Sequence, residues 1–110
     1  MAYDSDMAET MRADLGVEPG LSEKKMFGGL CFFLDGNMTC GVGGQGALYR
    51  PGKAAEARAL AHDAVSPMIM GTRRMGGFVR LSDDGFADDD LRKTLTQMSL
   101  AHAASLPVKG

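Results

Sequence analysis

Two cysteines, two histidines, an arginine pair and a glycine-rich run are the chemistry-bearing residues of this 110-residue sequence. Cys31 and Cys40 flank Asp35-Gly36, and Asp-Gly between two apolar runs is a strong hairpin signal. A two-residue turn there sets Phe33 opposite Met38, Phe32 opposite Thr39 and Cys31 opposite Cys40. A four-residue loop keeps that register, and a three-residue loop breaks it. The Cys31/Cys40 pair then falls at a non-hydrogen-bonded position, where side chains lie closest. The expectation is a cross-strand thiol pair, read as two small buried hydrophobes in a reducing compartment. A strained, readily reduced disulfide is the alternative. Zinc is not expected. Eight residues separate the cysteines and 39 separate His62 from His102, whereas structural zinc sites use closely spaced ligand pairs.

Gly41-Val42-Gly43-Gly44-Gln45-Gly46 spells the dinucleotide fingerprint, but that motif needs a helix to open within it. A short strand-like run follows instead, so the glycines read as a hairpin turn. Ser22, Ser66, Thr72 and the two cysteines sit in no nucleophile elbow, and no catalytic residue is assigned. Asp83, Asp84, Asp88, Asp89 and Asp90 lack the order of a calcium loop and read as a turn plus a helix cap. Arg73 and Arg74 lie on a glycine-bounded loop, where paired guanidiniums suit phosphates or carboxylates. Lys24, Lys25 and Arg80, with Arg50 and Lys53, extend that patch if their strands are neighbours.

The elements that must position these residues follow from periodicity. Met7, Met11 and Leu15 recur every four residues and predict a helix over 5–15. Residues 24–34 read as one long strand bent at Gly28-Gly29. A return strand to Val42 and a third over 47–50 complete a meander. A helix over 53–63, a weak strand over 67–70 and a firmer one over 76–82 come next. Asp88 or Asp89 caps a last helix to about Ser105. Its expected apolar stripe is Leu91, Leu95, Met98, His102 and Leu106, with Leu100 pointing away, where it suits contact with a second copy. The class is α+β: two layers, an antiparallel sheet packed by helices, in one domain over 1–110.

Composition fits a soluble domain, with 45% apolar and 24% charged residues. Glycine appears 15 times and methionine nine times, with no tryptophan. No apolar run reaches a membrane span and no start resembles a secretory signal. Charge is sorted along the chain. Residues 1–23 hold six acids against Arg12, residues 24–80 eight bases against three acids, and residues 81–110 five acids against three bases. The total is −2, which a mixed surface explains and which does not favour nucleic acid.

The run Glu23-Lys24-Lys25-Met26-Phe27-Gly28-Gly29-Leu30, followed by Phe33, Gly36-Asn37-Met38 and Gly41-Val42, resembles the TfoX/Sxy N-terminal domain. Leu48 with Arg50, Met75-Gly76-Gly77-Phe78-Val79 and the helix after Asp88 extend the resemblance from Tyr3 to about Pro107. It implies a two-layer fold ordered α-β-β-β-α-β-β-α. Named members are competence regulators that act with the cyclic-AMP receptor protein and carry a second, helical domain, which this sequence is expected to lack. Phe78 stands where the family often has tryptophan, implying an aromatic core role. No catalytic or metal residue transfers. The expectation is a cytoplasmic, non-enzymatic regulatory or adaptor domain with no cofactor, acting through a protein partner or a second copy. Its alternatives are direct nucleic-acid binding through the basic patch and, ranked lower, a small-molecule-binding domain.

Overall fold

Asp4 accepts hydrogen bonds from the amides of Asp6 and Met7, at 2.8 and 3.2 Å, and so starts the first helix, α1 (Ser5–Leu15). Ala8, Met11 and Leu15 bury its one apolar face. The computed structural model describes residues 4–26 and 28–109. Tyr3 and Phe27, both part of the resemblance, lie outside the described residues.

The segment expected as one bent strand is two strands, β1 (Leu21–Met26) and β2 (Gly29–Leu34), paired antiparallel with Met26 opposite Gly29. The reason is local: Gly28 has φ +73°, a left-handed conformation that reverses the chain rather than bending it. After β2, Asp35 and Gly36 have φ +51° and +83°, as a two-residue hairpin turn requires. The remaining elements are β3 (Asn37–Gly43), β4 (Gly46–Tyr49), α2 (Lys53–Leu60), β5 (Val65–Met70), β6 (Arg73–Leu81), α3 (Asp83–Phe86) and α4 (Asp89–Ser105). Asp83-Asp84-Gly85, expected as a turn, is the short helix α3, capped by the Ser82 hydroxyl. Asp88 caps α4 through the amides of Asp90 and Leu91. The run Gly41 to Gly46 is the β3–β4 hairpin, as expected.

The described strands form one open antiparallel sheet in the order β1-β2-β3-β4-β6-β5. Paired residues share a face, so register sorts side chains in rows across the sheet. One row is Lys25, Leu30, Val42, Ala47, Leu81 and Val65, and another is Glu23, Phe32, Cys40, Tyr49, Val79 and Pro67. From Leu30 to Val65 and from Phe32 to Val79, these residues join Met11, Leu15, Ala59, Phe86, Leu91 and Leu95 in one core cluster. Strands and helices therefore make two layers, an α+β fold with the helices on one face.

Two packing expectations change. The buried face of α4 is Leu91, Arg92, Leu95, Thr96, Ser99 and Ala103, and Leu100 packs against the core instead of pointing away. Arg92, held by Asp14 of α1, is part of that buried face. Phe78 is not a core residue: it precedes inward-facing Val79 and sits on the opposite face of the sheet.

Candidate interaction surface

The face of the sheet away from the helices carries the row Lys24, Cys31, Gly41, Leu48, Arg80 and Ser66, one residue from each strand. Beside it runs Ser22, Phe33 and Met38, continued by Arg50 and Phe78. The Arg50 guanidinium carbon lies 5.3 Å from the Phe78 ring centre, within cation–π range. Phe33, Met38, Leu48 and Phe78 are half-buried and outside the core cluster. Gly41 keeps the floor flat: a Cβ there would stand 2.9 Å from the Leu30 carbonyl oxygen and 3.2 Å from Cys31 Sγ.

The five expected anion contacts do not form one patch. Lys24 and Arg80 share this open face, with β2, β3 and β4 between them. Lys25 is in the opposite row, on the helix side. Arg74 donates to Glu56 at 2.9 Å. Arg73 is exposed at the start of β6, opposite Met70. The expected loop over 71–74 is shorter than its sequence suggests, because Arg73 and Arg74 already pair with β5. Arg50 completes the open face, and its stack on Phe78 carries no spacing signal in the sequence.

The expected thiol pair is not formed. Phe33 does face Met38, but the register then shifts: Phe32 faces Cys40 and Cys31 faces Gly41. Thr39 is the extra residue of this bulge, fully buried, and its hydroxyl donates to the Phe32 carbonyl at 2.9 Å. One inserted residue moves Cys40 to the helix face and leaves Cys31 on the open face, because side chains alternate. Both thiols are free and buried. Burial pushes Cys40 up to about 12 and raises Cys31 as well, so neither is a ready thiolate.

At the sheet's outer edge, β5 and β6 form a hairpin ending at Gly71. Ile69 and Met70 are 49% and 47% exposed there, adjacent large apolar residues in an edge strand. Glu56 of α2 props the base of this hairpin, accepting from the Gly77 amide at 2.8 Å and from Arg74. Both donors hold the Glu56 carboxyl below its ordinary range. Gly77, at φ +86°, also accepts from the Gly52 amide through its carbonyl.

Two clefts flank the helices. One, of about 470 Å³, lies between α1 and α4 and includes Asp14, Arg92 and Thr96. Arg92 is occupied there by Asp14, Asp89 and the Phe86 carbonyl. The other, of about 360 Å³, lies along α2 beside Arg74. His102 is half-buried against Gly52, and burial with nearby Arg50 lowers its pKa. His62 is exposed just after α2. Among the described residues, no three His, Cys, Asp or Glu side chains are grouped to hold a metal ion. Among them, too, no helix is long and apolar enough to cross a membrane.

A family model described as TfoX N-terminal domain matches residues 15–103, which spans every strand, α2, α3 and all but the last two residues of α4, but only the final residue of α1. No curated protein and no solved structure matches the chain.

Proposed function

The chain belongs to the TfoX N-terminal domain family, and from that premise we propose that it is a cytoplasmic, non-enzymatic regulatory or adaptor domain. It acts by contacting another protein, in transcriptional control of the kind attributed to TfoX/Sxy regulators. The observation that carries this reading is the exposed Ile69-Met70 pair on the edge strand β5. An edge strand offers unpaired backbone groups for another chain. An exposed methionine adds a polarizable, adaptable apolar contact. Pro67 removes one amide from that edge, which limits uncontrolled strand addition there.

Affinity capture with the wild-type chain and an Ile69→Asp/Met70→Asp variant tests the reading. The expected result is a transcription-related partner retained by the wild type and lost by the variant. Capture of no such partner, with unchanged gene expression in a deletion strain, overturns it. Sedimentation of the two proteins shows whether a second copy occupies the same edge.

A further inference from the structure

We propose that the open face of the sheet binds single-stranded nucleic acid, with Phe33 and Phe78 stacking on bases and Lys24, Arg50 and Arg80 meeting phosphates. The fold sorts charge in a way the net value of −2 conceals. The strand residues of this face include Lys24 and Arg80, with Arg50 beside them, and among the described residues no strand position on it is acidic. Glu23 faces the helix side, where Arg12 holds it. The aspartates of α1, α3 and α4 belong to the helical layer or its caps. Asp83 stands at the rim, beside Gly46. A basic, carboxylate-poor surface complements a polyanion.

Charge alone would also suit an acidic protein. The aromatics favour a nucleic acid. Phe33 and Phe78 are half-buried on the open face of the antiparallel sheet, three strand spacings or about 14 Å apart. Gly41 and Cys31 leave low ground between β1 and β4. Arg50 already lies against one ring as a planar cation. Sheet faces that present aromatic rings accept splayed bases, which stack without needing sequence-specific hydrogen bonds. A duplex hides its base faces and gains nothing from the rings, so the occupant is a single strand.

Fluorescence anisotropy with a labelled mixed-sequence oligodeoxynucleotide, the matching oligoribonucleotide and their duplexes tests this. Single strands are expected to bind at low salt and duplexes more weakly. Neutralising three phosphates gives a slope of about −2 for log affinity against log salt. Phe78→Ala and Phe33→Ala are each expected to weaken binding about tenfold. Lys24→Glu, at an exposed position, keeps the fold, weakens binding and flattens the slope by at least about 0.7. If an alanine variant unfolds by circular dichroism, Lys24→Glu carries the test. The proposal is overturned if no single strand binds at low salt, if duplexes bind equally, or if Lys24→Glu binds as the wild type does. It is equally overturned if a protein partner needs Lys24 while no oligonucleotide binds.

Discussion

Asp14 of α1 and Arg92 of α4 form an ion pair at 2.6 Å, with side chains only 6% and 9% exposed. It fixes α1 against α4 and explains why the buried face of α4 is centred on an arginine. Arg92 also donates both Nη1 hydrogens, to the Phe86 carbonyl and to Asp89. Removing Arg92 leaves the buried Asp14 carboxylate without a cation, and removing Asp14 leaves Arg92 with only the exposed Asp89 as a counter-charge. Asp14→Ala or Arg92→Ala is therefore expected to cost about 3–5 kcal/mol. The double variant should cost clearly less than the two single losses together. Urea unfolding of the four proteins measures this cycle, and strict additivity would remove the pair from the account.

The Thr39 bulge sets which face each cysteine takes. Its hydroxyl is buried and bonded to the Phe32 carbonyl. Thr39→Val keeps the volume but leaves that carbonyl without this donor, at an expected cost of about 1–3 kcal/mol. Thr39→Ser keeps the hydroxyl and should cost less. Equal losses for valine and serine would assign Thr39 a packing role alone.

The two features differ from the rest of the fold in how far their causes lie along the chain. Met7, Met11 and Leu15 set out α1, and Asp35-Gly36 specified its hairpin, because both signals are local. The α+β class followed from the order of such local elements. The cysteine register failed because one inserted residue inverts the alternation, and Thr39 looks like any strand threonine. The buried face of α4 departs from its apolar stripe because Arg92 is buried with Asp14, 78 positions earlier in the chain. Lys24 and Arg80 share a face only after three intervening strands are paired, and a basic residue in a strand does not report which face it takes.

Acid sensitivity follows from Glu56. The Gly77 amide and Arg74 lower its carboxyl pKa from an ordinary 4.5. A carboxylate whose folded pKa is lowered contributes stability that is full above the unfolded value. That contribution is lost as pH falls through the folded one. The stability difference between wild type and Glu56→Gln should hold steady above about pH 5 and shrink below about pH 4.5. A difference that grows on acidification would contradict this. Chemical unfolding at several pH values provides the readout.

Thiol reactivity checks the separation of the two cysteines. Cys40 is fully buried and Cys31 is 7% exposed. Burial raises both pKa values, which starves each site of thiolate. Both are expected to react slowly with an aromatic disulfide reagent in the native protein, Cys31 before Cys40, and rapidly once unfolded. Mild oxidation should give no intramolecular bridge, since the thiols occupy opposite faces. A native bridge found by mass spectrometry would instead restore the in-register hairpin.

Tyr49 offers a sharper test of the core. Its side chain is fully buried, yet its hydroxyl has no hydrogen-bond partner among the described residues. Burial raises its pKa, with Cys40 and Asp14 adding to the effect. An unpaired buried hydroxyl costs its desolvation, so deleting it removes a penalty while the ring still fills the same space. Tyr49→Phe should therefore leave stability unchanged or raise it by about 1 kcal/mol. The usual outcome for a core change is destabilisation. A loss of about 1 kcal/mol or more in urea unfolding would mean that the hydroxyl is bonded in solution. Thr96, across the interface on α4, would then be its partner, and Thr96→Val should reproduce the loss.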